Sequence, residues 1–384
     1  MTTKQTVDPY ASGVDSTSGG IPSAAASPVS MPPNLLTHYY RGGSRLASFR
    51  GIEPTSAYQP EDWLASTVHR YGDPASGPSR LADGTLFADL IAADPVGWLG
   101  ATGAGPNGPA DTGILVKLLD ADQRLPVHVH PSRPFAVDQL HSCYGKSEAW
   151  YVIATDGDDP CVWVGLRDDV DEGALRTAVD RQDSEWLLGQ LNRVQVQPGD
   201  AIFVPAGRAH AIGPGVLVIE VQEPTDFSVI LEWAITTSGP ESADLGLGID
   251  TALRTVNLQA LDGQALAALH RHTDSATESA EPLSLLPGSA DEFFTMQLLA
   301  TSTHRSVSPT AAAGFAVVVV IGGTGTMSGA AGSVPVSAGQ VFAVPAAFGQ
   351  WQPAGDVQLV VCRPGPAPAP LPALPALPAS GRPR

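Results

Sequence analysis

Cysteine is nearly absent: 384 residues hold only Cys143, Cys161 and Cys362. Three scattered cysteines make no disulfide framework, and their odd number leaves at least one free. A reducing compartment, the cytoplasm, is the simplest expectation. Positive charge is scarce too: 21 Lys and Arg stand against 39 Asp and Glu, a formal net charge of −18. A general nucleic-acid binder needs a basic face, so that class is excluded, and anionic membrane surfaces are disfavoured. A small anionic substrate is still allowed, because a pocket can be locally basic within an acidic protein. Long apolar runs are missing as well. The most apolar stretch, Val317 to Ile321, suits a buried strand rather than a bilayer span. The opening Met1-Thr2-Thr3-Lys4 is polar and leads to Asp8, so no secretory apolar region is expected.

What is present divides the chain. Residues 1–32 are rich in Ser, Gly, Ala, Thr and Pro and poor in large apolar groups, so a disordered tail is expected. Residues 364–384 alternate Pro with Ala and Leu and should form an extended Pro-rich tail. Between them, 33–240 reads as one β-rich domain. Ile114 to Leu119 is nearly continuous apolar sequence holding a single charge, Lys117. Leu125 to His130 alternates, which puts His128 and His130 on one strand face. A helical insert over about 171–193 interrupts the strands, with Asp171 as N-cap. Residues 241–290 read as a helical connection, with Leu245 to His272 as its helical part. Residues 291–363 carry a second β domain.

An internal repeat links the two domains. Val194-Gln195-Val196-Gln197-Pro198-Gly199-Asp200-Ala201-Ile202-Phe203-Val204-Pro205-Ala206 matches 334–346 in phase. Each copy has a Gly turn, an apolar strand and Val-Pro-Ala, as duplicated units do. Only the first copy continues to His210; the second has Gln350 there.

The spacing from Gly199 through Pro205 and Gly207 to His210 resembles the second motif of the cupin superfamily, and His128-Val129-His130 resembles the first. The expected fold is mainly β with helical insertions: two cupin-type jelly-roll barrels, the second without metal ligands. Small barrels hold one ligand or metal at the mouth. His128, His130, Glu148 and His210 together suit one divalent ion with open positions, the arrangement of a catalytic site. A buried histidine alone is more often a hydrogen-bonded core residue; four such groups at this spacing weigh the other way. Lys146 lies two residues from Glu148 and should share its face as a catalytic or substrate group. Lys117 is a charge in an apolar strand and needs a partner. Arg133 and Arg208 sit beside the two histidine motifs as candidate substrate contacts, with a solvated rim as the equal alternative. His38, His69, His141 and His304 fit no pattern and read as structural or surface residues.

From about Leu36 to Arg363 the chain resembles the type I mannose-6-phosphate isomerases, zinc enzymes of the cupin superfamily. The resemblance rests on Lys117-Leu118-Leu119-Asp120-Ala121, on 125–131, on Gly145-Lys146-Ser147-Glu148-Ala149-Trp150-Tyr151, on 204–212 and on Ile219-Glu220-Val221-Gln222. It implies a zinc ion held by His130, Glu148 and His210, with Mn2+ or Fe2+ as other ions the set suits. His128 stands where the family usually has Gln. It also implies Lys146 in the active site, a sugar or sugar phosphate as partner, and aldose–ketose isomerisation of mannose 6-phosphate. Ile230 falls where the family places an active-site arginine. Two further readings stay open: another metal-cupin enzyme of the oxidoreductase type, and a non-catalytic sugar-binding or regulatory protein.

Overall fold

A computed structural model describes residues 24–101, 105–274, 279–304 and 308–371. Among these described residues the protein is mainly β, arranged as three antiparallel sheets, none closed on itself. The first has seven strands in the order His270–His272, Asp200–Val204, Glu148–Thr155, Val216–Gln222, Leu115–Ala121, Glu61–Leu64, Leu35–Leu36. The second has five: Val229–Ile230, His128–Val129, His210–Ile212, Cys161–Leu166, Leu191–Gln195. The third is built on the long strands Ala316–Gly329 and Trp351–Pro364, flanked by Val341–Val344 and Phe294–Thr301.

The seven-stranded sheet is the middle layer, and its sequence shows why. Strands buried on both faces read as continuous apolar runs, and two-residue alternation then sorts side chains between two cores. Leu118, Ala149, Tyr151, Ile219 and Val221 pack toward Met296, Leu298, Val317, Val319 and Val360 of the third sheet. Leu119, Trp150, Val152, Val216 and Val218 face Val162, Val164 and Ile212 of the five-stranded sheet. Parity then fixes the site: Lys117 shares its face with Leu119, Glu148 with Trp150, and Glu220 with Val218. Three ionisable groups thus enter the space between the two sheets from three adjacent strands.

The helices Glu172–Arg181 and Ser184–Gly189 fill the insert. The Asp171 side chain caps the first, accepting from the Ala174 N–H at 3.0 Å. Their apolar groups Leu175, Val179 and Leu187 cover Val127, Val129 and Val229 on the outside of the five-stranded sheet. That cover buries the backs of the strands that present the histidines.

Several expectations change. Of the expected N-terminal tail, 24–32 are ordered: Val29–Ser30 pairs with Val341–Val344, and Met31 is buried. The positions 1–23 lie outside the described residues, as do 372–384 of the Pro-rich tail. Pro364 ends a strand instead of opening that tail. The stretch Leu245 to His272 is not one helix. It holds Ile249–Leu253 and Gly263–Leu269, and then His270–His272 pairs with Asp200–Val204. Gly246 and Gly248 at positive φ hold the first helix back to Ile249, a fresh N-cap at Asp262 starts the second, and the open edge of the sheet captures the end of the stretch. Among the described residues, no helix is long and apolar enough to cross a membrane.

Candidate metal centre

His128 and His210 come from neighbouring strands of the five-stranded sheet, and His130 directly follows the first of them. His210 sits opposite His128 in register, and His128 in turn faces Ile230. A glycine turn ties the two histidine motifs together. Gly207, at φ 86°, donates its N–H to the His130 carbonyl at 2.8 Å, a conformation that favours glycine. Glu148 arrives from the middle sheet. Its turn is braced by Arg133: the guanidinium meets Glu223 at 2.6 Å, and Glu223 accepts the Ser147 N–H at 2.9 Å.

Each imidazole is held in one orientation. Nδ1 of His128 contacts the Pro126 carbonyl at 2.8 Å, that of His130 the Phe227 carbonyl at 2.7 Å, and that of His210 the Arg208 carbonyl at 2.8 Å. A carbonyl only accepts, so each Nδ1 carries the proton and each Nε2 keeps its lone pair. Ligand atoms of the three histidines lie within 4.8 Å of one another. Glu148 closes the group, 2.9 Å from His130 Nε2 and 3.2 Å from His210 Nε2. Nε2 lone pairs therefore face a carboxylate, acceptor against acceptor. Among the described residues, His210 Nε2 is buried without a hydrogen-bond partner, and Glu148 Oε2 is buried with the Lys146 ammonium near it, an ion pair at 3.2 Å. Buried acceptors that face one another call for a cation, and this donor set fits one divalent ion.

The electrostatics agree. Burial, and then the other two imidazoles, push His128 well below the usual histidine range. Burial and the Lys146 ammonium push His130 down to about 3. Both are therefore neutral, as ligands must be. Burial alone would raise Glu148. The Lys146 ammonium at 3.2 Å leads the opposing effects and holds the carboxyl well below its ordinary value. Lys146 also contacts His130 Nε2 at 2.9 Å.

Beside this centre the pocket continues over a second charged group. Lys117 lies between Glu61 at 3.3 Å and Glu220 at 3.5 Å. Glu61 also accepts from the Tyr40 hydroxyl at 2.5 Å and faces His38 at 3.2 Å. Lys117 cannot fully neutralise both carboxylates. Glu61, with His38 and Tyr40 besides, is held well below the carboxylate range. Burial pushes Glu220 up to about 7. Ile230, Trp150, Arg70, Asp226 and Ser228 complete the walls.

The structure thus brings together His128, His130, Glu148, His210, Lys146 and Lys117. It does not bring in Arg133 or Arg208, which corrects their reading as substrate contacts. Arg133 is spent on Glu223 and Glu292 and stacks over Phe293 at 4.7 Å. Arg208 turns outward to the Gln259 carbonyl at 2.8 Å. Proximity in sequence to a ligand does not fix side-chain direction. His38, read as structural or surface, lines the pocket with Glu61. The legible signal was the charged pair Glu61-Asp62 ahead of Trp63, a strand buried at every position.

Fold and site define a mainly β protein with a buried pocket of three histidines and one carboxylate. Its relatives are mannose-6-phosphate isomerases, the type I family its motifs resemble. Mannose-6-phosphate isomerase ManA of Bacillus subtilis is 39% identical over 113 residues, which span 29% of this chain and 34% of that relative. A second Bacillus subtilis protein, named "Probable mannose-6-phosphate isomerase GmuF", is 25% identical over 323 residues, 84% of this chain and 95% of that one. No family model matches the chain. Among solved structures, the mannose 6-phosphate isomerase of Bacillus subtilis superposes with a TM-score of 0.64 at 23% identity, covering 88% of this chain and 99% of that one. The Salmonella typhimurium enzyme, solved with fructose 6-phosphate and zinc, gives 0.64 at 15% identity over 88% of this chain and 100% of that one.

Proposed function

We propose that the protein is a metal-dependent aldose–ketose isomerase that interconverts mannose 6-phosphate and fructose 6-phosphate. The observation that carries this reading is the set of three imidazoles with protonated Nδ1, converging on Glu148 beside a pocket lined with ionisable groups. His128, His130, Glu148 and His210 would hold a zinc ion, which would polarise the sugar's oxygens and stabilise negative charge developing between C1 and C2. The chain supplies the rest. Lys146 donates toward the sugar oxygens from beside Glu148. Glu220, with its carboxyl near 7, exchanges a proton at neutral pH. Lys117 holds Glu220 and Glu61 in place, and Trp150 and Ile230 exclude water from the far wall. Two cupin-type barrels, the second without ligands, are the architecture we infer from the three sheets and the in-phase repeat. We place the protein in the cytoplasm, which the three free, buried cysteines support. Its partner is then a small sugar phosphate, with neither nucleic acid nor membrane involved.

The test is conversion of mannose 6-phosphate to fructose 6-phosphate by zinc-loaded protein, with His210→Ala as control. Turnover that the substitution abolishes is expected. Folded, zinc-loaded protein that turns over neither sugar phosphate would sink the reading.

A further inference from the structure

The proposed function leaves the phosphate without a partner, because the candidate arginine position is Ile230, an apolar residue on the pocket wall. The pocket has three cationic side chains, Arg70, Lys117 and Lys146, and they differ in how far their charge is already cancelled. Lys117 serves two carboxylates, Glu61 and Glu220. Lys146 is paired with Glu148 at 3.2 Å. Among the described residues, no carboxylate lies within ion-pair distance of the Arg70 guanidinium. Its side-chain bond runs to the Thr37 carbonyl, which leaves most of its five donors open.

The turn that carries Arg70 is rigidly anchored. The Arg70 N–H donates to the Ser76 carbonyl at 3.0 Å, and its own carbonyl accepts from Asp73 at 3.2 Å. Next to it, the Tyr71 N–H donates to Asp226 at 3.1 Å and the Tyr71 hydroxyl to the Leu245 carbonyl at 2.7 Å. The Tyr71 ring packs edge-on against Phe227 at 5.7 Å. Asp226 also faces the pocket and works against an anion, but it is committed to Tyr71 and does not pair with the guanidinium. The exposed Asp73 also feels the guanidinium's charge, without pairing with it. A guanidinium with open donors and no paired carboxylate on a pocket wall is an anion site, and its planar fork suits phosphate oxygens.

We infer that Arg70 binds the phosphate group of the substrate and sets the preference for a phosphorylated over a free sugar. This inference rests on the isomerase reading for its substrate, but the anion site itself can be tested without turnover.

Two readouts test it on the full-length, zinc-loaded protein. Inorganic phosphate, titrated calorimetrically, should bind wild type and bind Arg70→Ala at least about tenfold more weakly, with Arg70→Lys between them because the ammonium keeps the charge and loses the fork. In turnover, Arg70→Ala should raise KM for mannose 6-phosphate about 10–100-fold while KM for mannose stays within about twofold. Should Arg70→Ala fail to fold, Arg70→Gln, which keeps a long polar stem, carries the same expectations. Phosphate affinity equal in wild type and variant overturns the inference, as does no phosphate binding by wild type or an equal rise of KM for both sugars. If wild type turns over neither sugar yet binds phosphate through Arg70, the isomerase reading fails and the anion site stands.

Discussion

The two halves of the in-phase repeat share a Gly turn and an apolar strand, and beyond Val-Pro-Ala they are filled differently. In the first, Gly199 at φ 96° turns into Asp200–Val204, and the chain returns as His210–Ile212. In the second, Gly339 at φ 84° precedes Val341–Val344, and the chain returns as the strand beginning at Trp351. After Pro205 the first chain turns through Gly207 and delivers His210 into the pocket. After Pro345 the second passes through Ala346–Phe348, and Phe348 and Trp351 enter a core with Leu299, Val318, Met327 and Leu359. Gln350, the residue in phase with His210, is exposed. The comparison teaches that the Gly turn and the apolar strand build the architecture, while a few inward positions decide between chemistry and packing.

The comparison can be broken from either side. The largest effect should come from the first half. His210→Ala removes one of the four proposed ligands, and isomerase activity should fall at least about a thousandfold with loss of bound zinc. Gln350→Ala, at the matching position, should leave activity and zinc content unchanged. Next comes the packed core of the second half. Trp351 is 1% exposed, and Trp351→Ala should cost about 3–5 kcal/mol in chemical denaturation. Zinc stoichiometry in the folded fraction should not change.

A smaller effect tests the polar interior. Glu220 is buried and raised from 4.5 to about 7, so its charged form is disfavoured on folding. Its contribution to stability is full below about pH 4.5 and is lost as pH rises through about 7. In metal-free protein, Glu220→Gln should therefore gain stability relative to wild type between pH 5 and 8, by up to about 3 kcal/mol. A difference that is flat with pH, or that shrinks as pH rises, would contradict the assignment. The smallest expected effect is the sharpest for the comparison. Gln350→His restores the histidine of the repeat but places it at an exposed position without Nε2 partners. Zinc stoichiometry by plasma emission should stay at that of wild type.

The histidine cluster of the candidate metal centre was legible because its signals are local. Alternation puts His128 and His130 on one face, and the Gly-Pro-Gly spacing delivers His210; neither needs knowledge of the distant fold. Lys146 followed from its two-residue spacing to Glu148, Lys117 from being a lone charge in an apolar strand, and Glu148 from the motif it shares with the family. The rest of the pocket depends on pairings between remote segments. Glu61 joins Lys117 only because Glu61–Leu64 pairs with Leu115–Ala121 across the insert between them. His38, Arg70 and Asp226 lie on irregular segments without a period to read. Arg133 and Arg208 show the opposite failure: adjacency to a ligand suggested a role in the pocket, yet Glu223 and the Gln259 carbonyl take them elsewhere. The helical expectation for Leu245 to His272 failed because an open sheet edge outcompeted local propensity at His270–His272.

Chelation tests the central claim most directly. Zinc-loaded protein should convert mannose 6-phosphate to fructose 6-phosphate, lose that activity in parallel with its zinc under EDTA, and regain it when zinc is restored. Conversion that survives complete removal of the metal, with the fold intact by circular dichroism, would contradict the account.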